Sequence, residues 1–365
     1  MKAGYLWIFL MRVTPWPLNS VFLRLVTKRK SLKIAGRSLE RFPLVVLKGA
    51  ASHLNAIDFS KNCFTVIPKQ ISSLSLNLTH LVLASNKIKA LPDEMGKLAK
   101  LQLLDVGYNQ LEYLGEWLGD LTSLTNLNCM NNKLIAVPES LGNLEHLISL
   151  GLKSNQLTSL PSSIGNLTSL IHLFLTDNRL STFPPEIARC VSLRKIQASM
   201  NDLKSLPETM ATMKSLEFIR LACNAFQAPP PCLAAMPTLS WVNLAGNPCS
   251  DVCVKSRTQP LPVFTGEGDG LEITGRGLGA LTGASGDMQW GSLEGRDVVI
   301  KFFRMDGDYV SPDGKPEDEL KVGSFVDHHR IPQPLGLVQV SRSPGERVTG
   351  IPQPWGACYR YPAAL

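Results

Sequence analysis

The residues of this chain whose types and spacing suit chemistry stand near its C-terminal end. Gly275, Gly277 and Gly279 alternate along the backbone, Gly283 and Gly286 follow, and Val298-Val299-Ile300-Lys301 comes next, its lysine 15 residues after Gly286. A glycine-rich loop is either a flexible linker or a cradle in which bare backbone amides approach phosphate oxygens, and a lysine closing three aliphatics is commonly an edge-strand residue. Taken singly these features say little; their order and spacing carry the information. Other chemistry finds no support. The six histidines are scattered with no H-x-x-x-H pair, and Cys249 with Cys253 is too small a set for zinc. No nucleophile elbow is present.

The elements that must position these residues follow from composition and periodicity. At 365 residues the chain exceeds what one ordinary core serves, so two domains or an elongated array with an appendage is expected. Apolar residues make up 44% and charged residues 18%, with 25 prolines and 28 glycines, a composition of many short elements joined by turns. The net charge of +7 is unevenly placed: residues 1–50 carry ten basic side chains and only Glu40 as an acid, leaving the rest of the chain slightly acidic. No interleaved basic and aromatic surface is evident, which argues against nucleic acid as a partner. The apolar run Tyr5–Met11 is interrupted by Arg12. It falls far short of the ~20 apolar residues that span a membrane. Residues 1–30 are therefore expected to be a poorly ordered basic arm.

Asparagines recur at Asn62, Asn86, Asn109, Asn132, Asn155, Asn178, Asn201, Asn224 and Asn247, every step 23 residues after a first step of 24. Each sits in the frame L-x-x-L-x-L-x-x-N-x-L-x-x-L-P, shown by Leu147, Leu150, Leu152, Asn155, Leu157, Leu160 and Pro161; a worn copy around Leu32–Pro43 has Arg37 in the asparagine slot. The L-x-L core implies a short strand with two inward leucines, and stacked repeats imply a parallel sheet. The asparagine amide pairs backbone groups that the turn leaves buried. The following Pro-x-x-Ile-Gly-Asn-Leu, as in Pro161–Leu167, permits a helical turn with Ile164 and Leu167 inward. Cys129 and Cys190 fill leucine slots and are expected to be buried thiols. Asn77-Leu78-Thr79 and Asn166-Leu167-Thr168 match the glycosylation pattern, but the repeat itself dictates the second.

This pattern resembles the 23-residue, intracellular signalling type of leucine-rich repeat. The resemblance covers about residues 30–250 and implies an α/β solenoid, a horseshoe with a parallel concave sheet that recognises macromolecules. Facing that concave surface, one column runs Val82, Asp105, Asn128, Gly151, Phe174, Gln197, Arg220, Asn243 and the next runs His80, Leu103, Asn126, Ser149, His172, Lys195, Phe218, Trp241. Exposed Phe174, Phe218 and Trp241 with Lys195 and Arg220 form a candidate partner-binding patch. The alternative is that Phe218 and Trp241 cap the end of the array.

After Asn247-Pro248 the repeat stops, residues 251–270 form a linker, and residues 271–338 resemble the opening of a protein kinase domain, a small mainly β N-lobe. In that family G-x-G-x-x-G-x-V forms a hairpin over the ATP phosphates and the lysine of V-A-I-K reaches the α and β phosphates. Gly283, Gly286 and Lys301 match; Leu281 stands for the first glycine and Met288 for the valine. Glu319 fits the glutamate that holds the lysine, and the stretch Glu317–Val338 looks like the family's helix, turn and fourth strand, with His329 and Arg330 replacing proline and asparagine of the turn. Gly283, Gly286, Lys301 and Glu319 are thus the cofactor-binding candidates. No H-R-D, D-F-G or A-P-E motif follows, so no catalytic or metal-binding residue is assigned. Residues 339–365 match nothing and are expected to be an irregular tail.

The sequence therefore leads to a protein-binding scaffold or adaptor in intracellular signalling, cytoplasmic and monomeric, docking a protein partner on the concave face. The kinase-like segment is expected to be inactive in this chain and to need no cofactor. The alternative is the front portion of an ATP-dependent leucine-rich repeat Ser/Thr or Tyr kinase, with ATP bound once the domain is complete.

Overall fold

The structure is a computed structural model and describes residues 30–43, 54–249, 263–264, 271–277, 286–294, 296–303, 333–339 and 355–360. Gly283 and Glu319 lie outside the described residues. The chain divides into two compact units, Met1–Leu193 and Arg194–Leu365.

In the first unit each repeat contributes one three-residue strand: β1 (Ser31–Lys33), β2 (Ala56–Asp58), β3 (His80–Val82), β4 (Leu103–Asp105), β5 (Asn126–Asn128), β6 (Ser149–Gly151) and β7 (His172–Phe174). They pair in parallel in sequence order, and the register aligns equivalent residues of successive repeats, as in Asp58 with Val82 and Val82 with Asp105. The middle residue of each strand points inward, and Leu81, Leu104, Leu127, Leu150 and Leu173 are buried. Each such side chain gains roughly 1.5–3 kcal/mol on burial, but only because the neighbouring repeats cover it.

Two devices hold this stack. The first is the asparagine ladder. Asn109 donates from Nδ2 to the carbonyls of Leu83 and Val106, both at 3.0 Å, and its Oδ1 accepts from the amide of Ile88 at 3.0 Å. Asn86, Asn132 and Asn155 repeat the arrangement. One amide thus pairs a buried backbone N–H that has no other partner among these bonds and shares two carbonyls with the asparagines of the adjacent repeats, Leu83 with Asn86 and Val106 with Asn132. The residue before each asparagine turns the chain with φ between +53° and +62°: Lys61, Ser85, Tyr108, Asn131, Ser154 and Asp177 in this unit. None is β-branched, the residue class least tolerant of that backbone region.

The second device is on the opposite side of the repeat. Tight 3-10 turns run Lys69–Leu74, Asp93–Lys97, Glu116–Asp120, Glu139–Asn143, Ser162–Asn166 and Pro185–Arg189. All but one are entered through an extended proline, with Gly115 the exception. The expected α/β class is refined accordingly: a 23-residue repeat leaves only about one tight turn for this side, the usual length of 3-10 structure. Glycine in four of these turns, at Gly96, Gly119, Gly142 and Gly165, is a contact requirement. A Cβ on Gly142 would lie 2.6 Å from Ser163 Cβ and 2.7 Å from the Ser163 carbonyl oxygen, and one on Gly165 would lie 2.5 Å from the Glu186 carbonyl oxygen. Acids reach across the same seam: Glu139 accepts from the amides of Ser162 and Ser163, and Glu116 from that of Ser140. The hydrogen bonds from Ser163, and then those from Ser162, hold the Glu139 carboxyl below its ordinary value.

The second unit opens with three further parallel strands, β8 (Lys195–Gln197), β9 (Phe218–Arg220) and β10 (Trp241–Asn243), in register. Asn224 and Asn247 continue the ladder with the same donors and acceptors. The 3-10 turn Glu208–Thr212 and a short α-helix, Cys232–Ala235, take the place of the earlier turns.

A second sheet follows in this unit, in the order β11 (Val263–Phe264), β15 (Gln333–Gln339), β16 (Trp355–Arg360), β14 (Arg296–Phe303), β13 (Gly286–Leu293), β12 (Leu271–Gly277). All pairs are antiparallel except β11 with β15. Val298 and Ile300 are buried one pleat apart, and Gly291 lets the Ile300 side chain and the Glu272 backbone approach, since a Cβ there would meet them at 2.7 and 2.9 Å. Two expectations are corrected. Residues 339–365 are not wholly irregular, because β16 fills the slot between β14 and β15 and pairs both. The linker 251–270 contains β11, a two-residue edge strand.

Candidate aromatic and cationic docking face

The face of β8–β10 turned away from the leucine core is built by strand alternation. Ile196, Ile219 and the flanking leucines are buried, which places Lys195 and Gln197, Phe218 and Arg220, and Trp241 and Asn243 in two columns on the other side, where Asn243 alone is itself buried, 2% exposed. The register places Phe218 between Lys195 and Trp241, and Arg220 between Gln197 and Asn243.

Parallel register brings like positions together, and the side chains make use of it. The Phe218 and Trp241 rings stack, with centroids 6.1 Å apart and planes 4° apart. The Lys195 ammonium lies 4.9 Å from the Phe218 centroid, and the Arg220 guanidinium carbon lies 5.3 Å from it. Both distances are within cation–π range, and the ring separation fits an offset stack. Burial, and then the nearby Arg220 charge, push the Lys195 ammonium below its ordinary value. At the rim Arg194 pairs with Glu217 at 3.8 Å.

The structure thus brings together four of the five sequence-predicted partner residues: Lys195, Phe218, Arg220 and Trp241. They are half-buried rather than exposed, because each ring is covered by its neighbour or by a cation. Phe174 lies in the first unit on β7, where its ring is tilted against His172 with centroids 6.1 Å apart. Of the cofactor candidates, Gly286 opens β13 and is in register with Phe303, and Lys301 on β14 is in register with Met288 on one side and Ala357 on the other.

The first unit carries acids on the equivalent face. Asp58 is bonded to Lys33 at 2.9 Å and to the Ser60 hydroxyl at 2.7 Å. Burial pushes its carboxyl up, but the bonds from Ser60 and Lys33 outweigh that and hold it below the ordinary value. Asp105 accepts from the amide of Gly107 and from Asn128, yet its carboxyl is pushed up, first by burial and also by the Asp58 charge. Asp58 was missed from the sequence columns, which began one repeat late; the 24-residue step back from Val82 identifies it. Among the described residues no group of three or more His, Cys, Asp or Glu side chains is placed to hold a metal, and no helix is long and apolar enough to cross a membrane.

Comparison with known proteins agrees with this geometry. Residues 76–134 and 145–203 match the leucine-rich repeat family model. An internalin of Listeria monocytogenes superposes with a TM-score of 0.54 at 21% identity, covering 62% of this chain and 63% of the internalin chain. The plant peptide hormone receptor RGFR1, solved in complex with RGF2, superposes with a TM-score of 0.54 at 28% identity, covering 62% of this chain and 37% of the receptor chain. This chain therefore spans less than two thirds of either relative. Leucine-rich repeats build its parallel-stranded region.

Proposed function

We propose that this leucine-rich repeat chain is a protein-binding scaffold that docks a protein partner on the face of β8–β10. One observation carries the reading: a stacked Phe218–Trp241 pair with Lys195 and Arg220 both drawn onto the Phe218 ring. Aromatic and arginine side chains held in a fixed, half-desolvated cluster are the groups that concentrate binding energy at interfaces. Mutual stacking also freezes their rotamers before a partner arrives, which lowers the ordering cost of association. The receptor RGFR1, similar over the repeat region, was solved with a bound peptide hormone. A cytoplasmic, monomeric signalling adaptor is the setting proposed for this scaffold.

The test places a photo-crosslinking phenylalanine analogue at position 218, 241 or 174, or at Asn166 on the exposed 3-10 turn side. Crosslinks to a protein partner are expected at 218 and 241 and absent at 166. Equal yields at all four positions would remove the docking face.

A second reading concerns the six-stranded sheet. The antiparallel hairpin β12–β13 followed by the V-V-I-K strand β14, with β15 on the stretch expected as a fourth strand, supports a kinase-like N-lobe that positions Lys301. Gly283, Gly286 and Glu319 would then serve ATP in a completed domain. Phosphorylation of a generic substrate by the purified chain, lost in Lys301→Met, would replace the scaffold reading with a catalytic one.

A further inference from the structure

We infer that β3–β5 form a second contact surface, which takes a lysine or arginine side chain of a protein partner, its stem on Val82 and Leu103 and its charge on the Asp105 carboxylate. This surface lies in the first unit and stands or falls independently of β8–β10.

One position of the repeat shows why. Asp58, Asp105, Asn128 and Asn243 occupy it in different repeats, and each accepts through Oδ1 from the backbone amide two residues on, at 3.0, 3.0, 3.1 and 2.9 Å. Asparagine thus does the backbone work of this position without a charge. At Asp58 the extra charge is met by Lys33 at 2.9 Å. Among the described residues Asp105 has only neutral donors, the Gly107 amide and the Asn128 Nδ2, both at 3.0 Å and both on Oδ1. Burial, and also the Asp58 charge, push its carboxyl up, so the chain holds this charge at a cost that asparagine would spare. A residue kept against stability where a neutral isostere folds equally well points to a ligand.

The surroundings select the ligand. The six outward positions of β3–β5 are His80, Val82, Leu103, Asp105, Asn126 and Asn128, one acid with no lysine or arginine, and His80 pairs with the Thr79 hydroxyl at 2.8 Å. Val82 is in register beside Asp105, Leu103 precedes it by two residues on the same face, and both are half-buried. Met130 Cγ and Asp105 Oδ1 each lie 3.2 Å from the point a Gly107 Cβ would take, so the methionine flanks the carboxylate. A half-desolvated carboxylate between aliphatic walls suits a long side chain with an apolar stem and a cationic head, whose N–H groups donate to Oδ2. One carboxylate offers too few oxygens for a calcium or magnesium ion, and its charge repels nucleic acid.

The experiment is an in vitro selection of random 12-residue peptides on the immobilised full-length chain, counter-selected on the Asp105→Asn variant. The retained peptides are expected to be enriched in Arg or Lys beside an apolar residue. Changing that basic residue to Gln, or the protein to Asp105→Asn, should weaken binding about tenfold to a hundredfold, the range for a charge-assisted contact. Asp105→Asn keeps the amide-accepting oxygen, and an undiminished urea midpoint in that variant separates loss of binding from loss of fold. Asp58→Asn, which removes the lysine-paired acid, should leave the affinity unchanged. Retention of no peptide, or of peptides without a basic residue, would overturn the inference. An equal loss in Asp58→Asn would overturn it too, because diffuse acidity rather than the Asp105 socket would then attract the peptide.

Discussion

The repeats of the first unit and those of β8–β10 share one period and one asparagine ladder, yet they use their variable positions differently. In the first unit the turns carry Gly96, Gly119, Gly142 and Gly165, each pressed against the next turn so closely that a Cβ would clash. The equivalent position at the end of that unit and through the second is alanine, Ala188, Ala211 and Ala234, and each retains some exposure. Inward slots change in parallel: the slot of Leu175 holds Ala198, and that of Leu144 and Leu167 holds Met213 and Met236, all still buried. The outward face moves from bonded acids, Asp58 and Asp105, to Lys195, Phe218, Arg220 and Trp241. The first-unit repeats thus spend their residues on mutual packing, while β8–β10 hold the same backbone with softer contacts and carry an aromatic and cationic cluster. Where a repeat departs from its own rule without losing its fold, function is the place to look.

The largest effect that tests this contrast is on the ladder. Asn109→Ala removes one buried amide, leaves the Ile88 amide unpaired and takes one of two asparagine donors from each of the Leu83 and Val106 carbonyls, so it should lower unfolding free energy by about 3 kcal/mol in urea titrations. Crosslinking at positions 218 and 241 should be unchanged. Next comes Gly142→Ala, where the added methyl must displace backbone at Ser163; a loss of about 1–3 kcal/mol is expected. Gly107→Ala, whose nearest neighbours are side-chain atoms at 3.2 Å, should cost less. Equal costs would mean that the turn side is not the tight seam described.

The smallest effects are pH-dependent and opposite in sign. Glu139 has a lowered folded value, so its contribution is present above the unfolded carboxylate range and is lost as pH falls through the folded value. Asp105 has a raised value, so its ionisation costs stability above that value and the cost disappears as pH falls through it. Asp105→Asn should therefore raise the urea midpoint slightly at pH 7 and have no such benefit below about pH 4. Glu139→Gln should lower the midpoint at pH 7 and be neutral in acid. Matching signs for the two variants would contradict the assigned surroundings of Asp58, Asp105 and Ser163.

Much of this was legible in the sequence because each repeat poses the same physical problem and answers it with the same residue. Leucine at the middle of each strand and asparagine at each turn recur because core volume and backbone pairing leave little choice, and the buried thiols Cys129 and Cys190 were visible as leucine-slot substitutions. Burial pushes the Cys190 thiol up to about 12, consistent with that structural place. The columns Lys195–Phe218–Trp241 and Gln197–Arg220–Asn243 were also legible, since a three-residue strand leaves only one way to alternate. What rotamers do was not: that both cations turn onto Phe218, and that Phe174 turns to His172, is decided by neighbours in space. No sequence motif singles out the Glu139 bridge, because its partners Ser162 and Ser163 lie one repeat away. The strand β16 was hidden because its partners β14 and β15 precede it by long stretches and no hairpin turn announces it.

The central claim is that the β8–β10 face binds and the repeats beneath it merely hold it in place. The direct measurement is the affinity of a protein partner recovered by crosslinking at position 218 or 241 for the wild-type chain and for Phe218→Ala/Arg220→Ala, taken together with the thermal midpoint of each protein. A fall in affinity of roughly a hundredfold, with the midpoint moved by only a few degrees, is the predicted result. Undiminished affinity in a folded variant would contradict the account.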